Sequence, residues 1–323
     1  VELQRMLERC ERDQWSIDEL DFSVTPRAMA RDEEEAIVQY FTDMAGIEML
    51  AGELFRVQEE RTDDPTLKRI FHSFVGDEIR HAAVAARLAR HYDVHRYRSY
   101  RENAHLTRFR PYFVNALREV SAEVANAYIT GGELLLDVAL LRSLNDYVHD
   151  AMSQRAMDLI NRDESRHIAM DFRMVEYYAS DDYQCWLSQQ KSATPTAAKL
   201  ARASYAFANM LLHAAPFFQD VFFAPLSRVD PSGRRMREAF KRLQLLAARD
   251  RVRERPFWRA VTVGQLVFTN PFLGPVFGRI AQRVAGLPDA LMGQLYDQHE
   301  LASARRASLE ALVDETLGLK YDV

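Results

Sequence analysis

Apolar residues recur every three or four positions through most of the chain, and the residues that would break such a pattern are scarce, with 12 glycines and 11 prolines in 323 residues. That period belongs to helices with one buried face. It predicts helices over 31–61, 65–92, 111–145 and 148–180, with more between 195 and 317. The boundaries carry their own chemistry: Asp63-Asp64-Pro65 stops one helix and opens the next with an acidic residue and a first-turn proline. Arg110-Pro111 marks the start of the third in the same way, and Ser180-Asp181-Asp182 ends or caps the fourth. Between the second and third helices, the segment 93–110 interleaves Arg96, Arg98, Arg101, Arg108 and Arg110 with Tyr97, Tyr100 and Phe109. A basic-aromatic run of this kind can bind nucleic acid. The simpler reading is a long connection whose arginines face water or pair with acidic neighbours.

An internal repeat organises these helices. Phe74-Val75-Gly76-Asp77-Glu78-Ile79-Arg80-His81 aligns with Ile160-Asn161-Arg162-Asp163-Glu164-Ser165-Arg166-His167 at a shift of 86, with Asp, Glu, Arg and His coinciding. Upstream, Gly46-Ile47-Glu48-Met49-Leu50 aligns with Gly131-Gly132-Glu133-Leu134-Leu135 at a shift of 85. Two hairpins of one design, 31–92 and 111–180, joined by a crossover, account for both matches. The fold expected is therefore all-α: an N-terminal extension over 1–30, a four-helix bundle over 31–180, and further helices over 181–323 packed on it.

The repeated residues are metal-ligand types at ligand spacing. Glu-x-x-His sets a carboxylate and an imidazole on one helix face, where both reach one ion; Glu78/His81 and Glu164/His167 are two such pairs. Each hairpin adds a glutamate from its first helix, Glu48 lying 30 residues before Glu78 and Glu133 lying 31 before Glu164. Glu53 competes with Glu48, but the face of Glu48 carries Phe41, Met44, Ala51, Gly52 and Phe55, whereas that of Glu53 carries Arg56, Val57 and Glu60. A carboxylate among apolar residues is costly to bury unless it binds something, which selects Glu48. One ExxH on a surface helix arises readily by chance; two in register with two matched glutamates do not. Four carboxylates and two imidazoles neutralise two dications, and an oxygen-rich set suits iron or manganese (Fe/Fe, Mn/Fe or Mn/Mn) better than zinc or copper. Asp77 and Asp163, with Arg80 and Arg166, are expected to orient the ligand histidines, since such rings donate their second N–H to a carboxylate or carbonyl. Asp137 and Asp171 follow Glu133 and His167 by four residues, where the first hairpin has Gly52 and Ala85. They are candidates for an extra ligand or proton carrier on one side only; the plainer alternative pairs them with Arg142 or Arg173.

Composition narrows the setting. A formal charge of −5 implies no general affinity for nucleic acid or anionic membrane. Cys10 and Cys185, without CxxC spacing, support neither a disulfide framework nor a thiolate zinc site. The charged opening Val1-Glu2-Leu3-Gln4-Arg5 is followed by no apolar signal core, so a cytoplasmic, reducing location is expected. Phe257 to Val276 is rich in apolar residues but interrupted by Arg259, Gln265, Asn270 and Pro271. Buried packing is the expectation there, ahead of peripheral membrane or partner contact and well ahead of a membrane span.

The duplicated DExRH and its paired glutamates resemble the ferritin-like non-haem di-iron carboxylate superfamily. The doubling is similar to soluble methane monooxygenase hydroxylases, and the run Asn161 to His167 looks closer to p-aminobenzoate N-oxygenase-like di-iron oxygenases. The likeness covers about residues 31–180. It implies an O2-activating monooxygenase or oxidase acting on an organic substrate, with a reductase or ferredoxin as electron donor. A homodimer is expected. The chain departs from the pattern where Ile160 replaces the N-oxygenases' additional histidine and where Asp137 replaces the monooxygenases' threonine. Ala85 replaces the radical tyrosine of ribonucleotide reductase small subunits, which argues against a radical store. Iron storage and a metal-stabilised binding protein without turnover are the competing functions. The extension beyond Ser180 favours catalysis over storage: His213, Phe217, Phe218, Phe222 and Phe223 could roof a pocket beside the cluster, although such stripes are more often core and His213 is read as a core histidine.

Overall fold

The computed structural model describes residues 2–189 and 197–322, all of whose regular elements are helical. In chain order these are α1 (Leu3–Arg12), α2 (Arg31–Arg61), α3 (Pro65–Tyr92), α4 (Ala104–Glu119), α5 (Ala122–Glu133), α6 (Arg142–Val148), α7 (Ala151–Ala179), α8 (Asp181–Gln189) and α9 (Ala197–Phe217). They continue as α10 (Ala224–Val229), α11 (Arg234–Ala247), α12 (Pro256–Thr269), α13 (Gly274–Ala285), α14 (Asp289–Met292), α15 (Gln298–Arg306) and α16 (Leu309–Asp322). Two π-helical stretches, Leu134–Leu141 and Phe218–Phe223, join α5 to α6 and α9 to α10.

The capping chemistry explains the boundaries around the repeat. The Asp64 side chain accepts from the Thr66 and Leu67 amides at 2.8 and 2.9 Å, and Pro65 occupies the first turn, where its missing N–H costs nothing. Asp150 caps α7 through the Met152 amide at 2.9 Å and also accepts from the Tyr92 hydroxyl at 2.8 Å, which ties the end of α3 to the start of α7. α2 packs along α3 and α5 along α7, while α2 also meets α5 and α3 meets α7, so these four elements surround one interior. Phe41, Phe55, Phe71 and Phe74 fill it from the first hairpin and Met157, Ile160 and Phe172 from the second, all fully buried.

Several expectations are corrected here. The third helix does not begin at Pro111: α4 starts at Ala104, where Asn103 caps the His105 amide at 2.8 Å, and Pro111 lies inside it. Both Pro111 and Thr107 are exposed, so water can reach the carbonyl that the missing N–H leaves unpaired. Nor is the stretch 111–145 one helix. It breaks at Val120-Ser121, restarts with Ser121 accepting from the Val124 amide at 3.2 Å, and changes to π geometry directly after Glu133. The connection thus spans 93–103, where Arg98 lies 3.6 Å from Glu35 and Arg31 stacks over Tyr97. Residues 195–196, at the edge of the predicted C-terminal helices, lie outside the described residues. The aromatic stripe of α9 packs on α4: Phe217 stacks on Phe109 and half-buried His213 on Tyr112. The stretch 257–276 is not core either, since Leu266, Phe272, Leu273 and Val276 are exposed while Trp258 and Gln265 are buried. Among the described residues one apolar helical stretch, Ala122–Val148, is long enough to cross a membrane, but it is mostly buried against its neighbours and carries Glu133 and Asp137.

Candidate metal centre

Glu48 from α2, Glu78 and His81 from α3, Glu133 from the end of α5, and Glu164 and His167 from α7 converge on the interior, all of them buried. Their donor atoms fall into two sets, Glu48-Glu78-His81-Glu164 and Glu78-Glu133-Glu164-His167, each with all donors within 4.8 Å of one another. Glu78 and Glu164 belong to both sets. The Nδ1 of His81 lies 3.1 Å from Glu164, and that of His167 lies 3.0 Å from Glu78 and 3.1 Å from Glu164. Glu53 is half-exposed on α2 and outside both sets. Gly52 makes room for the arrangement, because a Cβ there would stand 3.2 Å from the Cβ of Glu78.

Such a cluster is expensive unless something positive joins it. Both oxygens of Glu48 and of Glu78, Oε2 of Glu133, Oε1 of Glu164 and Nδ1 of His81 are buried without a hydrogen-bond partner. Burial, reinforced by the negative charge of Glu78, raises the Glu48 carboxyl well above its ordinary range; burial together with Glu164 and Glu78 does the same to Glu133. Burial works against both imidazolium ions, yet the surrounding carboxylates overcome it and raise His81 and His167 well above the usual histidine range. Glu164 is driven the opposite way: burial opposes its ionisation, but the charge and hydrogen bond of His167, with the charge of His81, hold it well below the carboxylate range. Buried Glu/His sets with unpartnered donors of this kind could hold a metal ion, and the donor chemistry fits one.

Outside the donors lies a second layer of charge. His81 donates Nε2–H to Asp163 at 3.1 Å, and His167 meets Asp77 at 3.4 Å, so the aspartates serve the opposite motif rather than their own. Fully buried Arg166 bridges both, to Asp77 at 3.0 Å and Asp163 at 2.8 Å, and Arg80 reaches the same pair at 2.5 and 2.9 Å. Burial alone would raise both aspartates, but their histidine and arginine partners hold them below the ordinary value. Trp15, between α1 and α2, adds an indole N–H to Asp163 at 2.7 Å and lies beneath the Arg80 guanidinium, while Gln14 accepts from Arg80 at 2.9 Å. Sequence reasoning missed these two residues. The available signal was the apolar spacing of Met6, Leu7 and Cys10, which marks α1 as a packed helix.

Asp171 is buried beside the second set, and both its oxygens lack a hydrogen-bond partner. Burial raises its carboxyl, Glu164 and Glu78 adding to the effect and His167 opposing it. The expected pairing with Arg173 is therefore not made by its carboxylate. Asp137 is buried on the π-helical stretch. It follows Glu133 by four residues, about one turn further along. Arg142 pairs with Asp146 at 3.5 Å.

Compared with models of known families, with curated proteins and with solved structures, the chain finds no match.

Proposed function

We propose that α2, α3, α5 with its π-helical continuation, and α7 form a ferritin-like bundle holding two iron ions, with Mn/Fe or Mn/Mn as variants, and that the protein is an O2-activating di-iron oxidoreductase. Its reaction class is monooxygenase or oxidase chemistry on a small or hydrophobic organic substrate: N-oxygenation, hydroxylation or desaturation. The observation that carries this reading is the pair of donor sets sharing Glu78 and Glu164. Four carboxylates balance two dications, which offsets the cost of burying so many charges. One imidazole per set in an otherwise oxygen environment suits iron or manganese.

When bound, the ions supply redox chemistry towards O2. Glu48 and Glu133 would hold one ion each from the ends of the site, and Glu78 and Glu164 would reach both. Asp163 and Asp77 fix the ring orientation of His81 and His167 and keep Nδ1 as the free donor, because Nε2 carries the hydrogen engaged outside. Phe74 and Phe55, with ring centroids 4.2 and 4.9 Å from His167, keep water from that side. Asp171 can hold a proton on Oδ within the field of Glu133 and His167 and return it during turnover. An electron donor, a cytoplasmic location and a homodimer belong to the same proposal.

The test is anaerobic loading with ferrous iron, then exposure to O2 followed optically with and without arylamines or acyl substrates. Two irons per chain and substrate-dependent changes in the optical transient are expected. Iron accumulating far beyond two per chain would turn the reading to storage, and loading without any O2 response would turn it to a metal-stabilised binding protein.

A further inference from the structure

We propose that the α12–α13 hairpin is a docking element for an anionic lipid bilayer. Leu266, Phe272, Leu273, Val276, Phe277 and Ile280 are all exposed, Phe272 at 84 %. On α13 they recur at helical spacing and form one outward stripe. A contiguous apolar surface of this kind on a soluble chain marks a contact.

The tip is built, not loose. Asn270 accepts from the Phe272 and Leu273 amides at 2.9 and 3.1 Å, which fixes the turn. Gly274 is required there, because a Cβ would stand 2.4 Å from the Phe268 carbonyl oxygen. Thr269 braces the turn from behind by accepting from the Gln294 amide at 2.8 Å. The fold therefore holds a phenylalanine out into solvent at the end of an ordered hairpin.

Charge identifies what covers it. The chain carries −5 overall, yet residues 255–288 contain no Asp or Glu and four arginines. Arg255 pairs with Glu123, but Arg259, Arg279 and Arg283 are exposed and make no ion pair with any described residue. Arg279 and Arg283 precede Ile280 and the likewise exposed Val284 by one position and so flank the stripe, as in helices that sink an apolar face into the headgroup boundary and leave arginine at the phosphates. A second copy docked face to face would set these three arginines against each other with Asp289, beside Gly278, as the neighbouring acid, which disfavours self-association. Neither helix, at 14 and 12 residues, is long enough to span a bilayer, so the hairpin lies in the interface.

Vesicle flotation of the full chain tests this, using phosphatidylcholine with and without admixed phosphatidylglycerol. Wild type is expected to float with the anionic vesicles and to be released by salt. Arg279→Gln with Arg283→Gln should weaken partition by roughly twenty- to thirtyfold, about fivefold for each charge, and Phe272→Ser with Phe277→Ser should abolish it while the far-ultraviolet spectrum stays helical. Absence of flotation, or equal binding to neutral vesicles that the arginine variant does not change, overturns the proposal. So does a concentration-dependent dimer, seen by light scattering, that Phe272→Ser dissolves while vesicles are ignored.

Discussion

His81 on α3 donates its Nε2–H to Asp163 on α7 at 3.1 Å, and the two residues lie 82 positions apart in the chain. The reciprocal contact joins His167 to Asp77. Each imidazole is thus oriented by the hairpin to which it does not belong. Because Arg166 and Arg80 both span the two aspartates, the layer behind the donors is one ionic network instead of two separate pairs. The hairpins cannot slide relative to each other without breaking it.

The exchange predicts which half of the site each aspartate supports. Asp163→Asn should weaken binding at the Glu48-His81 set, and Asp77→Asn at the Glu133-His167 set, by roughly 10–100-fold. Ring nitrogen resonances of the histidines, recorded with a diamagnetic divalent ion bound, report which imidazole is disturbed. Perturbation of His167 by Asp163→Asn, with His81 unaffected, would show that the aspartates act on their own motifs.

Replacing His81 or His167 with Ala should remove one donor from its set and reduce occupancy from two metals to one or fewer. Glu53→Ala should leave occupancy unchanged, because Glu53 is outside both sets. Metal analysis after dialysis reads this directly. Two intact sites in both histidine variants would eliminate the coordination assigned here.

Much of this centre was legible because its residues act locally. Asp64 and Pro65 set the boundary between α2 and α3 within a few residues, and the 31–61 and 65–92 limits agree with the structure for that reason. The apolar face of Glu48 identified it over Glu53 by the cost of burying a lone carboxylate. Illegible features depend on distant contacts. A four-residue spacing suggests that Asp163 serves His167, and nothing in the helical phase shows that His81 is nearer. Trp15 reaches Asp163 across 148 residues, with no motif around it. The π-helical stretch after Glu133 leaves no compositional mark, since Leu134-Leu135-Leu136 suits an α-helix equally well.

Asp43 offers a pH test away from the candidate metal centre. Its carboxylate accepts from the Asn103 amide at 2.6 Å and from Gln39 at 3.0 Å, yet burial raises it from 3.8 to about 6. Between those values the folded chain keeps a proton that the unfolded chain releases, so its contribution to stability falls as pH rises through this window. Above about 6 the full cost, on the order of 2–3 kcal/mol, is present. Asp43→Asn keeps an acceptor for Asn103 and should gain stability relative to wild type at about pH 7.5 but not at about pH 4.5, as urea titrations would measure. An equal difference at both pH values would remove this account.

Asp171 and Asp137 make the sharpest test of asymmetry, since Ala85 and Gly52 stand at their repeat positions. Asp171 is buried with both oxygens unpartnered and its proton affinity raised, so in the ion-free protein its ionisation costs stability increasingly as pH rises above the ordinary carboxylate value. Asp171→Asn should therefore stabilise the ion-free chain at neutral pH, and more so as pH rises. A bound dication reverses the sign, because it favours the carboxylate, so the same substitution should give less stabilisation or none after loading. If Asp171 carries a proton for the reaction, the variant should retain its metal but change the rate and pH dependence of O2-driven oxidation. Asp137→Asn, on the π-helical stretch after Glu133, should have the smaller effect. Stopped-flow oxidation of metal-loaded protein separates the outcomes: unchanged kinetics in both variants would leave these aspartates as structural residues, and a larger effect at Asp137 would place the asymmetric carboxylate on α5's continuation instead of α7.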